Sequence, residues 1–167
     1  VVYKYKRKNA GKVTVHHYLV GTTTELYTPA GKTSTSPEEL DGTNKLGLPY
    51  TTTDKASDPA LSNYELVTPG PTNATGTFTA GEQTVNYYYR RKNAGKVIVH
   101  HYEVGHTTEL YTPAGKSSPS PEELDGTEKL GLPYTTQSRE ADIQNFELTT
   151  PAPTNATGTF TTGVQEV

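Results

Sequence analysis

The stretch KNAGKVTVHHY, Lys8 to Tyr18, decides how this chain is organised. It returns as KNAGKVIVHHY, Lys92 to Tyr102, with one substitution, and the residues that follow it return in the same order. A period of roughly 80 residues is longer than the roughly 20–50 residues of solenoid repeats, which need their neighbours to bury a core. It is long enough for a small domain, so the repeat predicts two domains in tandem.

We place these domains at residues 1–84 and 85–167, since the second copy of the opening strand starts at Val85. The strand VVYKYKRK could instead close a preceding unit, in which case the boundary falls near residues 92–95. The copies differ most between Asp54 and Ser62, where the second copy is two residues shorter. We expect an exposed loop there, because loops tolerate insertions.

The composition excludes several classes of protein. The chain has no cysteine, and therefore neither disulfides nor thiolate metal sites. Its net charge is −3, and no basic cluster points to a nucleic-acid partner. It opens on Val1, and no apolar run approaches the roughly 18 residues of a membrane helix. We expect a soluble excerpt of a longer protein.

The strand VNYYYRRK, which begins at Val85, alternates apolar and polar residues, as VVYKYKRK does at the start of the chain. A period of two is typical of a half-buried strand. The pattern predicts that Val85, Tyr87 and Tyr89 face the core. Tyr88 is predicted to face solvent, because a lysine occupies its place in the first copy.

Further strands are indicated along each copy. The alternation of KVTVHHYLVG blurs at the histidines, and a bulge there would turn Tyr18 inward. The preceding KNAG is either a hairpin turn or an interdomain joint. Shorter strands are predicted for Glu25 to Thr28, which Pro29 would stop, around Tyr50, and for Tyr64 to Val67.

The segment SPEELDG, Ser36 to Gly42, predicts a short helix with a serine cap, an early proline and a terminal glycine. It recurs as Ser120 to Gly126. NATGTFT is predicted to turn at Gly76 and to place Phe78 in the core. Each domain is therefore mostly β, or α+β, with a mixed sheet and one short helix, which suits a β-grasp-like (ubiquitin-like) fold.

The histidines and acids are weighed as metal ligands. His16 and His17 are neighbours on a strand, so their side chains point to opposite faces and cannot share one ion without a bulge. His106 adds a third histidine in the second copy only. The cluster Glu38, Glu39 and Asp41 lacks the alternating spacing of a calcium loop. We expect no metal and no cofactor.

No constellation of a nucleophile and a base appears, so we expect no enzyme. The triplets Asn73-Ala-Thr75 and Asn155-Ala-Thr157 fit the glycosylation pattern. They also lie where a turn favours asparagine and glycine, and we favour that structural explanation. A binding module gains strength from being repeated, and a spacer gains length.

The run NATGTFTAGEQTVNYYYRRK, Asn73 to Lys92, resembles the closing segment of the MucBP (mucin-binding protein) repeat. GKVTVHHYLVGTT resembles its first strand, and GLPYTT followed by NYELV its middle, so the resemblance spans almost all of both copies. The stretch TPAGKTSTSPEELDGTNKL is longer than its family counterpart.

The resemblance implies β-grasp-like tandem domains of exported, cell-wall-anchored surface proteins of Gram-positive bacteria. It also implies adhesion to host mucin or other glycoprotein glycans, and it maps no binding residue onto this chain. An adhesive module and a passive stalk repeat are both open. An adhesive module needs exposed aromatic rings, for which Tyr27 and Tyr111 are the candidates, because a proline and a glycine follow them. We expect an elongated, monomeric two-domain rod.

Overall fold

The computed structural model describes residues 1–167 and divides into two compact units. Unit 1 is residues 1–91 and unit 2 is residues 92–167. The strand that contains residues 85–91 pairs with two strands of unit 1. The division of the structure falls after Arg91, while the domain bounds 1–84 and 85–167, with the alternative near residues 92–95, remain predictions. Independent folding of either unit remains a prediction.

Unit 1 contains six strands and one 3₁₀ turn, Pro59–Leu61, and it has no α-helix. The strands are β1 (Val13–Leu19), β2 (Glu38–Leu40), β3 (Pro49–Thr51), β4 (Tyr64–Leu66), β5 (Thr75–Thr77) and β6 (Gln83–Arg91).

Four strands of unit 1 form a mixed sheet in the order β2-β1-β6-β4, and β3 pairs with β5. The central pair β1–β6 is parallel, whereas β2 and β4 add at the edges in antiparallel orientation. The mostly β character and the mixed sheet confirm the prediction from sequence. The β-grasp assignment remains a prediction. No helix is long and apolar enough to cross a membrane.

The predicted register of β6 is confirmed. Tyr87 and Tyr89 are 4% and 0% exposed beside Val85, and Tyr88 is 40% exposed on the other face. Because side chains alternate across a strand, β6 supplies Val85, Tyr87 and Tyr89 to the core and leaves Tyr88 at the surface.

The bulge predicted in β1 is wrong. Its pairing with β6 runs without interruption from Val13 to Leu19, and the buried positions alternate from Val13 to His17. His17 therefore faces the core with the valines, while His16 and Tyr18 share the opposite face. The unbroken ladder explains this result, since a parallel partner of nine residues holds every position of β1 in register.

The helix predicted for Ser36 to Gly42 is also wrong. Glu38–Leu40 is an edge strand that pairs with Val13–Val15, and the counterpart of this edge strand in unit 2 lies within Ser120 to Gly126. The capping signals do not suffice for a helix here. A helix this short forms only a few backbone hydrogen bonds, which do not offset the unfavourable free energy of forming its first turn. A sheet edge satisfies the same backbone groups, and Leu40 packs against the core.

Three smaller predictions also fail. Glu25 to Thr28 forms only an isolated bridge to Tyr18. Gly76 lies inside β5 instead of at a turn, while Phe78 enters the core as predicted. Leu61 is fully buried, although it lies in the segment predicted to be an exposed loop. Gly76 is placed by a partner distant in sequence, since it pairs with Tyr50 of β3.

The opening segment VVYKYKRK forms no strand, contrary to its alternating pattern. Tyr3 and Tyr5 are 77% and 91% exposed. A strand needs a partner, and the position beside β1 that this sequence pattern suits is already occupied by β6. The chain joins unit 1 only at its end, where Arg7 donates to the Leu46 carbonyl.

Unit 2 repeats this plan with a shorter parallel pair and without a counterpart of β4. Its strands are β7 (Val97–Val99), β8 (Glu122–Leu124), β9 (Pro133–Thr135), β10 (Thr157–Thr159) and β11 (Gln165–Glu166). The three-stranded sheet has the order β11-β7-β8, and β9 pairs with β10.

Asparagine side chains support the loops of both units. Asn73 Nδ2 donates to the Thr84 carbonyl at 2.8 Å, and Asn155 Nδ2 donates to the Glu166 carbonyl at 2.7 Å. These bonds give the asparagines of the glycosylation-like triplets a structural role.

Candidate functional site

The inward side of β1 in unit 1 carries a closed hydrogen-bond network, which we call the histidine network: His17, Tyr89, Lys55 and Glu38. His17 Nδ1 lies 3.0 Å from the Tyr89 hydroxyl, and its Nε2 lies 3.0 Å from a Glu38 oxygen. The Lys55 backbone N–H donates to the Tyr89 hydroxyl at 2.7 Å, and its ammonium lies 3.1 Å from Glu38. The network joins four segments that are distant from one another in sequence.

The bonds of the histidine network assign the proton on His17. Because the hydroxyl of Tyr89 already accepts from a backbone N–H, it donates its own proton to His17 Nδ1. The Nε2–H of His17 then donates to Glu38, so the ring is neutral. Burial lowers the pKa of His17, and burial raises the pKa of Tyr89 to about 12, which keeps both rings uncharged.

Unit 2 retains the part of the network in which a glutamate binds both a histidine and a cationic side chain. His101 Nε2 lies 2.9 Å from Glu122, which Arg139 binds through two nitrogens at 2.9 and 2.5 Å. The hydrogen bond from Arg139 lowers the pKa of the Glu122 carboxyl. The bidentate arginine takes the place of Lys55 as the cationic partner.

The outward side of β1 presents a stack of rings, which we call the aromatic face: His16, Tyr18 and Tyr88 in unit 1. The centroids of His16 and Tyr18 are 4.7 Å apart in stacked geometry, and those of Tyr18 and Tyr88 are 6.2 Å apart. Glu25 binds His16 Nδ1 and so fixes the end of the stack. Val20 to Thr23 line a shallow depression beside the Tyr88 ring.

The aromatic face recurs in unit 2 as His100 and Tyr102. These rings are stacked at 5.0 Å, Glu109 binds His100, and Tyr102 is 43% exposed. Each face is bordered by an exposed ion pair. The pairs are Lys12–Glu39 at 2.5 Å in unit 1 and Lys96–Glu123 at 2.6 Å in unit 2.

The candidates Tyr27 and Tyr111 are half-buried, as Tyr18 is, whereas Tyr88 and Tyr102 are exposed. Tyr27 makes an edge contact with His17 at 5.3 Å, and the Lys55 ammonium lies 4.9 Å from its ring centroid. Tyr111 makes an edge contact with His101, with ring centroids 5.5 Å apart, and the Arg139 guanidinium lies 5.1 Å from the Tyr111 ring centroid. In both units, the ring contacts a histidine and a cation at once.

Sequence reasoning placed the side chains of His16 and His17 on opposite faces of a strand but missed the outward role of Tyr18. The spacing of Thr14, His16 and Tyr18 was the available signal, since these alternate positions share one face. The acids that bind the histidines were also missed, because no sequence spacing reveals them. No group of three or more histidine, aspartate or glutamate residues forms a metal-binding cluster.

Comparison with known proteins places the chain in a family. A family model described as MucBP domain matches residues 1–90 and 110–167, so this chain belongs to the MucBP domain family. It is similar to internalin J of Listeria monocytogenes serovar 1/2a, with 39% identity over 140 residues. It is 37% identical over 140 residues to internalin J of serotype 4b of that species. Each match covers 82% of this chain but only 14% and 13% of the respective relative.

Proposed function

We propose that the chain is a tandem repeat module of a cell-surface adhesin of a Gram-positive bacterium, displayed outside the cell at the wall. In this proposal it binds host mucin or glycoprotein glycans weakly, through one aromatic face per unit, and catalyses no reaction. Membership in the MucBP family supports the adhesive role. The observation that carries the choice of site is the recurrence of an outward ring stack in both units.

The chemistry of the aromatic face suits a sugar. A pyranose ring has a face of C–H groups that packs on an aromatic plane, and hydroxyls around its edge. A tyrosine at the surface offers an apolar ring together with a polar hydroxyl, so it meets both features with little side-chain entropy to lose. The neighbouring pair Lys12–Glu39 adds charged donors and acceptors at the border of the face.

Repetition makes a weak site useful. Each aromatic face is small and open, which is typical of a low-affinity contact. When two sites are joined in one chain, the second binding event becomes intramolecular, and the combined affinity can exceed either one by orders of magnitude. Densely glycosylated mucin offers many copies of the same epitope to such a pair.

The test is binding of the whole chain to immobilised mucin, with Tyr18→Thr, Tyr102→Thr and the double variant. Threonine keeps a good strand former in place. Each single variant should bind about tenfold more weakly or worse, through lost avidity, and the double variant should not bind. The matched control is Tyr3→Thr, which removes an exposed tyrosine outside both faces and should leave binding unchanged.

Two further variants distinguish the earlier candidate site. Tyr27→Phe and Tyr111→Phe remove hydroxyls but keep the packed rings. If these variants lose binding and the Tyr18 and Tyr102 variants do not, the glycan site lies at Tyr27 and Tyr111.

A stalk repeat is the second candidate, and the packing of Tyr27 and Tyr111 against histidines favours it. A passive spacer needs rigid units but no displayed platform. If the unmodified chain fails to bind mucin or a glycan array at up to about 1 mM, the adhesive proposal is refuted and the spacer function stands.

A further inference from the structure

The shallow depression beside Tyr88 borders the aromatic face of unit 1. Its lining consists of the turn from Val20 to Thr23 and the Tyr88 ring, and we call it the turn pocket. Val20 is 44% exposed and Tyr88 is 40% exposed, so both present apolar surface to solvent. Because Tyr18 and Tyr88 are paired neighbours on β1 and β6, a sugar that covers their rings also reaches the turn pocket.

Backbone bonds hold the turn against the sheet. Val20 N donates to the Tyr89 carbonyl at 2.8 Å, and Leu19 N donates to the Thr24 carbonyl at 3.0 Å. Gly21 has a φ of 74°, a conformation that glycine adopts without strain. The shape of the turn pocket is therefore set by the fold, and a ligand has little backbone to order when it binds.

The chemistry of the turn pocket is uncharged and mainly apolar. No residue of its lining is an acid or a base. The hydroxyl of Thr22 is used by the turn itself, since it donates to the Leu19 carbonyl at 2.9 Å and accepts from Thr24 N at 3.0 Å. Thr23 is exposed, and its hydroxyl can donate or accept a hydrogen bond. The pocket therefore suits a small neutral group with one apolar end and one polar end.

An acetamido group on a sugar ring has this chemistry. Its methyl is apolar, and its amide carries one donor and one acceptor, either of which a threonine hydroxyl can satisfy. A sugar hydroxyl in the same place lacks the methyl, and a carboxylate would enter a pocket that offers it no cation. The turn pocket therefore favours an N-acetylated sugar over its parent hexose and over an acidic sugar.

We propose that the turn pocket is a subsite for the acetamido group of an N-acetylhexosamine, whose pyranose ring packs on the rings of Tyr18 and Tyr88. This inference rests on the proposed glycan binding by the aromatic face, and it names the class of sugar that unit 1 takes. The methyl contacts Val20, and the amide bonds to Thr23. Burial of one methyl group is worth about fourfold in affinity, so an N-acetylhexosamine should bind about fourfold more tightly than its parent hexose.

The corresponding turn of unit 2 has a different border. Its backbone is alike, since His106 N donates to the Glu103 carbonyl at 2.9 Å. In unit 1 the same bond joins Thr22 N to the Leu19 carbonyl at 3.1 Å. Unit 2 thus places an exposed carboxylate and an exposed imidazole where unit 1 has leucine and threonine. Hydrated polar groups are poor neighbours for a methyl, so the preference for the acetamido group belongs to unit 1.

The first experiment is an NMR titration of the isotope-labelled 167-residue protein. The probes are the methyl glycosides of N-acetylglucosamine, N-acetylgalactosamine, glucose and galactose, added separately, and affinities of about 1 mM or weaker are measurable in this way. Each N-acetylated sugar should bind about fourfold more tightly than its parent hexose, with its largest shifts at residues 20–23 and 88. In saturation-transfer spectra, the acetyl methyl should receive the strongest saturation.

The second experiment removes the apolar contact. Val20→Thr replaces one methyl by a hydroxyl and keeps a β-branched side chain, so it should abolish the preference while leaving the binding of the hexoses unchanged. Val164→Thr is the matched control, because it makes the same substitution at a 62% exposed position outside both aromatic faces. It should keep the fourfold preference. Both positions are exposed, so neither variant should disturb the fold.

Four results would overturn the proposal. Equal affinity for the N-acetylated sugars and the hexoses refutes the subsite but leaves the aromatic face as a glycan site. A preference that survives Val20→Thr, or equal shifts at residues 20–23 and 104–107, shows that the acetamido group is bound elsewhere. Absence of binding by all four sugars at about 50 mM also refutes the subsite. The proposed function fails with it only if the chain does not bind immobilised mucin either.

Discussion

The three consecutive tyrosines of β6 offer a direct test of how unit 1 is held together. Tyr89 is fully buried, and its hydroxyl bonds to His17 and to the Lys55 N–H. Tyr87 stacks on His17 at 5.4 Å and makes one hydroxyl contact, with Thr52. The three neighbours therefore differ in burial and in hydrogen bonding while sharing one strand and one residue type.

The expected losses follow from these contacts. Truncating a buried aromatic side chain costs about 3–5 kcal/mol, and each hydrogen bond adds about 1 kcal/mol. Tyr87→Ala should cost about 3 kcal/mol or more and Tyr89→Ala about 4 kcal/mol or more. Tyr88→Lys should cost less than about 1 kcal/mol, because it is an exposed change. At about 0.05–0.15 kcal/mol per residue, unit 1 has roughly 5–14 kcal/mol in total, so either alanine removes a large share.

Phenylalanine variants keep the measurement possible if an alanine variant unfolds. Tyr89→Phe should cost about 2 kcal/mol, since it leaves two buried partners without the hydroxyl. Tyr88→Phe is the matched control and should be close to neutral. Urea unfolding followed by NMR peak intensities would report unit 1 separately from unit 2. Equal losses at Tyr87, Tyr88 and Tyr89 would refute the assigned register of β6.

Two further predictions concern pH and packing. Burial lowers the pKa of His17 from 6.5, so the unfolded chain holds the proton more tightly, and the free energy of unfolding of unit 1 should fall as pH drops below about 6.5. The hydrogen bond from Arg139 lowers the pKa of Glu122 from 4.5, so the contribution of Glu122 to the stability of unit 2 should be lost only below about pH 4.5. Thermal melts at a series of pH values would contradict this if both units lost stability over the same pH range. Gly76→Ala should cost about 1–3 kcal/mol by thermal melting, because its Cβ would lie 2.7 Å from the Tyr50 hydroxyl oxygen. Gly81→Ala, with no atom within 4 Å of the new carbon, should stay within about 0.5 kcal/mol; similar losses would refute the packing argument.

The sequence was a reliable guide wherever a strand had a regular pattern and a partner. The alternation of β6 predicted the burial of Tyr87 and Tyr89 correctly, and GLPYTT predicted the strand around Tyr50. The same alternation in residues 1–8 gave a strand that the structure lacks. A periodic pattern shows that a segment is suited to a sheet, but it does not show which sheet has room for it.

The other errors arose where distant contacts outweighed local signals. The capping signals around Glu38 favoured a helix, yet its carboxylate is held by His17 and Lys55 and its backbone by β1. Leu61 lies in a segment of variable length, but tertiary packing buries it. Neither outcome can be deduced from neighbours in sequence, because the deciding partners are about 20 or more residues away.

The repeated dipeptide of histidines gains its meaning from the strand on which it lies. His17 faces inward and closes a buried network, so its environment demands a neutral ring and fixed partners. His16 faces outward and stacks under Tyr18, where a change alters the surface and leaves the core packing intact. Of two adjacent residues on a strand, one can therefore stabilise the core while the other shapes the outer surface. A repeat built in this way can vary its outward surface while keeping the contacts by which it folds.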